Sequence, residues 1–464
     1  MRVLGRLAMG VAMAVGVAGC RTEPMAVADP VELPGAFSAS GEVAVEQAWW
    51  RAFGDEGLDR AVEAAFAGNF TLATAWDRLA QAEAIAKREG AALYPQVDVL
   101  GSGERVRRDL ARGTSYETGL LAGLTVGYEV DLWGRIRSAR EAAAYSAAAS
   151  EQEVQAAALT LAASVATTWY RLAEARGQVA VLDEQIATNR SVLELVTERF
   201  RQGQVQAADV LRQRQLVQAT EGLRTVAVRA VTLLEHQLAV LVGERPKAEL
   251  GLGEATLAEV GALPATGVPA ELLERRPDVR RAYLAVLGQD RSLASAIAAQ
   301  YPRVSLSAGV STSSARVRDL FDDWAANLAG NVAEPLFDGG RLAAEADRNR
   351  ALLSERVHAY GQTVLEALAE VEDALAQEAG QRAYLASLAE QLASADAVIE
   401  RTRASYLNGQ LDYLRVLEAL TSRQGLERTY LTARREAIEF RVGLYRALAG
   451  SVDLERPAEG SYEL

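Results

Sequence analysis

A single cysteine, Cys20, and two histidines, His236 and His358, leave 464 residues almost without the side chains on which metal sites and nucleophilic catalysis are built. One cysteine excludes an internal disulfide. Both histidines fall inside long helical patterns, with no metal-ligand spacing and no nucleophile-elbow string around them. No metal, no cofactor and no catalytic residue is therefore expected. Basic residues are also in deficit, 49 Lys and Arg against 62 Asp and Glu, for a formal charge of -13. Nucleic-acid binding needs the opposite balance, so no nucleic-acid partner is expected. Long apolar runs are missing too: none reaches the roughly 20 residues of a membrane-spanning helix. The 37 Gly and 11 Pro are confined largely to a few stretches. Between them lie long runs of Ala, Leu, Glu, Gln and Arg, a mix that loses little rotamer freedom in a helix.

The N-terminus reads as a secretory leader over residues 1–19, with basic Arg2 and Arg6, an apolar stretch from Leu7 to Val17, and small Ala18 and Gly19 before Cys20. Val17-Ala18-Gly19-Cys20 resembles the bacterial lipoprotein cleavage box. That resemblance implies that Cys20 is acylated and becomes the mature N-terminus. Arg21 rather than Asp follows it, which by resemblance to sorted lipoproteins favours the outer membrane.

An offset of 206 to 207 residues superimposes the chain on itself. Tyr94-Pro95 meets Tyr301-Pro302, Gly134-Arg135 meets Gly340-Arg341, Phe200 to Gln204 meets Tyr406 to Gln410, and Leu241 to Gly243 meets Leu448 to Gly450. After each Tyr-Pro the helical period gives way to alternation. Leu120, Ala122, Leu124, Val126, Tyr128, Val130 and Leu132 are apolar, with Thr125, Glu129 and Asp131 between them. In the second half Val304, Leu306, Ala308 and Val310 alternate with Ser305, Ser307, Gly309 and Ser311. Trp324, Ala326, Leu328 and Val332 likewise face away from Asn327 and Asn331. Strands that are apolar on one side and small or polar on the other match those of transmembrane barrels. Two strands per repeat cannot close a barrel, and open edges cannot face lipid, so closure requires oligomerisation.

From Arg135 to about Phe200 one unbroken helix is expected, near 100 Å long at about 1.5 Å per residue. Val165, Leu172, Val179, Ile186, Leu193 and Phe200 keep a seven-residue beat along it, and Val357, Val364, Val371, Leu385, Leu392, Ile399 and Tyr406 keep it in the second repeat. Sustained heptads imply coiled-coil packing. Each long helix turns at a Gly-Gln pair, Gly203-Gln204 or Gly409-Gln410, and returns as the second arm of a hairpin. The expected layout is a leader (1–19), an N-terminal segment (20–54), a first repeat (55–243; strands about 96–132, hairpin 135–243), a Gly- and Pro-rich linker (244–270), a second repeat (271–450; strands about 303–337, hairpin 341–450) and a tail (451–464). Shorter helices, about 55–90 and 271–300, are expected to precede the strand pairs.

These features together resemble the TolC-type outer-membrane factors, in particular their NodT-like lipoprotein branch. The strings that carry the resemblance are Tyr128-Glu129-Val130-Asp131-Leu132-Trp133-Gly134-Arg135, Glu274-Arg275-Arg276-Pro277-Asp278-Val279-Arg280 and Pro335-Leu336-Phe337-Asp338-Gly339-Gly340-Arg341. The resemblance implies a mainly α fold with a small β part. Three protomers each give four strands to one transmembrane β-barrel, and their helices form a long coiled-coil barrel across the periplasm. It further implies an outer-membrane efflux channel that conducts small molecules passively, with a periplasmic adaptor, an inner-membrane pump and outer-membrane lipid as partners. Gly203, Gln204, Gly409 and Gln410 would then meet the adaptor. Asp412, Arg415 and Glu418 would guard the periplasmic mouth, with Arg415 paired to Glu418 where other members carry a second acid. Trp133, Gly134, Arg135, Arg276, Pro277 and Asp278 would serve structure. The rival reading is a periplasmic coiled-coil adaptor or scaffold lipoprotein without a pore. Such a protein would interrupt a single hairpin with small β domains, whereas here two hairpins alternate with two strand pairs.

Overall fold

In the computed structural model residues 31–456 are described; the leader, Cys20 and residues 457–464 lie outside them. In chain order the elements are α1 (Glu56–Gly68), α2 (Phe70–Ala91), β1 (Gln96–Leu110), β2 (Gly113–Val130), α3 (Arg135–Arg201), α4 (Ala207–Leu241), α5 (Pro269–Arg275), α6 (Pro277–Ala298), β3 (Arg303–Ser314), β4 (Trp324–Ala333), α7 (Arg341–Leu407) and α8 (Tyr413–Leu448). The two longest helices, α3 and α7, have 67 residues each. Among the described residues no helix is long and apolar enough to cross a membrane.

Two corrections to the sequence reading concern the short helices. The segment over 55–90 is two helices broken at Asn69, whose extended backbone and side chain cap α2 through the amides of Thr71 and Leu72. The segment over 271–300 is likewise broken at Arg276. Pro277 disfavours the helical conformation in the residue before it, and Arg276 accordingly sits at ψ 124°. Proline then opens α6 at the position where its missing N–H costs nothing.

The described chain divides into two compact units, each drawing on both repeats: Arg78–Glu151 with Arg281–Gln362, and Val31–Asp77, Gln152–Arg280 and the described residues from Thr363 onward. The first unit holds the sheet, antiparallel throughout in the order β1-β2-β3-β4. Its strands feed the long helices through one device used twice. Asp131 accepts from the amides of Ile136 and Arg137 at 3.0 and 2.9 Å, capping α3. Asp338 accepts from Gly340 and Leu342, both at 2.9 Å, capping α7. The Leu342 amide is the main influence holding the Asp338 carboxyl below its ordinary range.

In the second unit the expected heptad positions Val165, Leu172, Ile186, Val364 and Val371 are buried, as are Val154, Leu182 and Val196 beside them, whereas Val179, Leu193, Leu385, Leu392 and Ile399 are half-buried. Phe200 departs from the expectation. It is exposed, while its repeat equivalent Tyr406 is buried. The N-terminal segment is tied to the inter-repeat connection, the Gly41 amide donating to the Pro264 carbonyl at 2.9 Å and the Ala265 amide to Val43 at 2.7 Å.

Candidate functional site

The sheet of the first unit has two chemically opposite faces, and the strand register sorts every residue onto one or the other. On one face lie the rows Val130, Val304, Val332; Tyr128, Leu306, Gly330; Val97, Val126, Ala308, Leu328; Val99, Leu124, Val310, Ala326; Gly101, Ala122, Thr312, Trp324; and Gly103, Leu120, Ser314. On the other lie Asp98, Thr125, Gly309, Asn327; Leu100, Gly123, Ser311, Ala325; and Gly127, Ser307, Ala329. The apolar face is uncovered among the described residues: Val99 and Leu328 are each 83% exposed and Trp324 73%. Water would oppose such a surface, since monomeric soluble proteins rarely expose large contiguous apolar patches. Ten residue steps separate the Leu120 row from the Val130 row, about 33 Å along the strand. At the tilt of barrel strands, about 40°, the band stands about 25 Å tall, the height of an outer-membrane hydrocarbon layer.

At the helix end of this sheet the family-motif residues hold the strand-to-helix junction. The Trp133 indole donates to the Pro302 carbonyl at 2.7 Å and its ring stacks on Tyr301 at 5.1 Å, so the two repeats meet here. Arg135 grips Glu129 through both carboxylate oxygens at 2.8 to 3.1 Å. Gly134 has φ 75°, a conformation that resists any side chain.

In the second unit Arg276, 8% exposed, donates to Asp278 at 2.7 and 3.0 Å, to Glu370 at 2.7 Å and to the Ala447 carbonyl at 3.1 Å. Burial pushes the Asp278 carboxyl up, but the bonds and charge of Arg276 outweigh it and leave the group below its ordinary range. Pro277 fixes the bend that presents Arg276 to these partners. The arrangement clamps helices and offers no free group for chemistry. Among the described residues no group of three or more His, Cys, Asp or Glu is arranged to hold a metal ion.

The hairpin tips belong to the same unit and share a cap geometry. The Gly203 amide donates to Phe200 and the Gln204 amide to Arg199; Gly409 donates to Tyr406 and Gln410 to Ser405. Both glycines have φ 73°. This is the reciprocal helix ending in which a left-handed glycine lets two amides satisfy the last carbonyls. The tips pack together through Val196, Val210, Tyr406 and Tyr413. Asp412 caps α8, its carboxylate accepting from the Arg415 amide at 3.2 Å, and Arg415 pairs with Glu418 at 3.1 Å. That pair is solvent-exposed and contributes little stability. Gly203, Gln204, Gly409 and Gln410 are exposed at the turns.

Sequence reasoning missed what binds one hairpin to the other. Gln213, fully buried, donates to the Asn189 carbonyl at 2.7 Å and accepts from the Tyr413 hydroxyl. Asn189 and Gln424 exchange side-chain hydrogen bonds at 3.3 and 2.9 Å, and Asn189 also reaches Thr220. Burial is the main cause that pushes the Tyr413 hydroxyl up, so it stays a donor. Tyr413→Phe is expected to leave a buried Gln213 oxygen unpaired and to cost about 1–3 kcal/mol. Thermal unfolding in detergent should read the loss, and amide exchange should accelerate around both tips. An unchanged midpoint would show that the network does not join the hairpins.

A family model described as "Outer membrane efflux protein" matches residues 61–244 and 268–450. The chain is 31% identical over 431 residues to the pyoverdine export outer membrane protein OpmQ of Pseudomonas aeruginosa, covering 88% of each chain. It is 26% identical to the cation efflux system protein CusC of Escherichia coli K12, covering 94% of this chain and 98% of that one. Among solved structures it is similar to the outer-membrane channel OprN, with TM-score 0.85 and 25% identity, over 91% of this chain and 98% of that one.

Proposed function

Since the chain belongs to the outer membrane efflux protein family, we propose that it is the outer-membrane channel subunit of a tripartite export pump, conducting small molecules passively from the periplasm to the exterior. The observation that carries this reading is the sheet: one face is apolar over a bilayer's height, and β1 and β4 have no strand partner on their outer edges among the described residues. Four strands cannot form a closed barrel. Two copies would supply eight, whose interior side chains fill the lumen; three supply twelve, wide enough to leave a pore. The small Gly, Ser, Ala and Thr residues of the other face favour an open lumen. The working form is therefore a homotrimer in the outer membrane, anchored additionally by lipid on Cys20. An adaptor without a pore has no use for an apolar sheet face of this height.

The helices then extend into the periplasm, and the loops around 111–112 and 315–323 face outside. The exposed turns at Gly203-Gln204 and Gly409-Gln410 meet the periplasmic adaptor, which connects the channel to an inner-membrane pump. Asp412, Arg415 and Glu418 guard the mouth. Three Glu418 carboxylates around a narrow axis would repel, but each has Arg415 at 3.1 Å, so the pair supports a held tip rather than a bare acidic ring. Removing Glu418 leaves Arg415 without its acid, and three uncompensated cations should spread the mouth. Glu418→Ala is expected to conduct more readily than wild type in planar bilayers, with weakened cation preference. Identical conductance and selectivity would place the gate elsewhere.

A further inference from the structure

The apolar face of the sheet ends in charge at one end only. At the helix end its strand residues are Val97, Tyr128, Val130, Val304, Leu306 and Val332, with no Asp, Glu, Lys, Arg or His among them. At the loop end, beyond the Gly103 and Leu120 row, the same face continues with Arg105 opposite Thr118, Arg107 opposite Tyr116 and Asp109 opposite Thr114. Each row advances about 7 Å along the strand. Both arginines therefore stand just past the hydrocarbon band, at the depth of lipid headgroups.

Their immediate partners leave positive charge unspent. The Arg105 guanidinium lies 5.2 Å from the Tyr116 ring centroid, held against the surface by the ring. Arg107 shares Asp109 at 3.2 Å, both groups well exposed. Two cations against one carboxylate leave a net positive charge on a surface that faces lipid. Arginine's planar fork of donors matches phosphate oxygens, and its long stem can lie along apolar surface while the head reaches the interface. Trp324, on the same face two rows below Arg105, supplies an interfacial aromatic.

We propose that Arg105 and Arg107 form a docking site for the phosphate-bearing headgroups of outer-leaflet lipids, orienting the barrel by its loop end. This rests on the barrel and orientation given above. The test reconstitutes wild type, Arg105→Gln with Arg107→Gln, and Arg112→Gln at the hairpin turn. One set of vesicles is phosphatidylcholine alone; others add diphosphorylated lipid A or its dephosphorylated form. Retained lipid A per protein is measured by native mass spectrometry after detergent extraction, and conductance is recorded in parallel. Wild type and Arg112→Gln should retain the phosphorylated lipid and not the dephosphorylated one, and the double variant should lose retention about five-fold for each arginine removed. All three should conduct alike. Equal retention by wild type and the double variant, or retention indifferent to the phosphates, overturns the site while leaving the channel standing. Absence of conductance from every form overturns the channel reading, and the site with it.

Discussion

Leu124→Arg is expected to abolish membrane assembly, whereas Thr125→Arg, one residue along the same strand, is expected to leave it intact. Leu124 occupies a middle row of the apolar face, beside Val99 and Val310. An arginine at the midplane of a barrel's lipid face costs about 2–4 kcal/mol, and a trimer carries the substitution three times, for about 6–12 kcal/mol in the assembled barrel. Few membrane proteins have that much stability to spare. Thr125 points to the opposite face, where Asp98 stands directly across the β1-β2 pair and Gly309 across β2-β3. A cation there meets a carboxylate and the water of the lumen. Fractionation of outer membranes, with heat-resistant oligomer on gels as the second readout, should show Leu124→Arg absent and Thr125→Arg present. Equal assembly of both variants would mean that this sheet does not face lipid.

Glu378→Ala is expected to destabilise the helical unit by about 3–5 kcal/mol, because it strands a buried cation. Arg441 is 2% exposed, and Glu378 takes its guanidinium at 2.6 and 2.9 Å. The remaining donors hold the carbonyls of Ala262 and Gly261 at 2.8 and 3.1 Å, so the same arginine pins the inter-repeat connection to the helices. Burial works to lower the Arg441 pKa, but the bonds and charge of Glu378 reverse it and leave the group above its ordinary value. Loss of the carboxylate should lower the unfolding midpoint and open residues 244–268 to proteolysis. Glu378→Leu combined with Arg441→Met should recover most of the stability, since an apolar pair of similar volume often replaces a buried ion pair without loss. A change below about 1 kcal/mol in the single variant would show that the cation is hydrated after all.

That pair also shows where the sequence was legible and where it was not. The heptad beat of the second repeat runs through Val357, Val364, Val371, Leu385, Leu392, Ile399 and Tyr406 and skips one position, residue 378. A charged residue on a buried seam was a visible signal, but its partner lies 63 residues away on the returning helix, and periodicity alone cannot name it. The long helices, the Gly-Gln turns and the two-faced strands were legible because each is a local pattern with a fixed period. The breaks at Asn69 and Arg276 were harder. Pro277 announced one of them, whereas Asn69 acts through a side-chain cap that composition does not reveal. The tips were legible as turns, yet Asn189, Gln213, Tyr413 and Gln424 meet from three helices, and only the fold brings them together. Phe200 and Tyr406 carry the same lesson: equivalent in the repeat, they differ in burial because the two tips have different neighbours.

The two hairpin tips differ in how their acids are held. At the first tip Asp209 closes a capping box with Gln206 and pairs with Arg212 at 3.5 Å. At the second tip Asp412 caps the helix and the pairing passes to Arg415 and Glu418. The first tip therefore holds its acid inside the cap, while the second sets an ion pair one turn further along the helix, where rearrangement need not unwind the cap.

Single-channel recording in planar bilayers tests the central claim most directly. Purified wild-type protein should give discrete, uniform conductance steps, and Thr125→Arg, which puts a cation on the lumen face without touching lipid, should insert equally well while shifting ion selectivity toward anions. Folded, membrane-extracted protein that gave no steps, or a Thr125→Arg channel with unchanged selectivity, would contradict a pore lined by that face of the sheet.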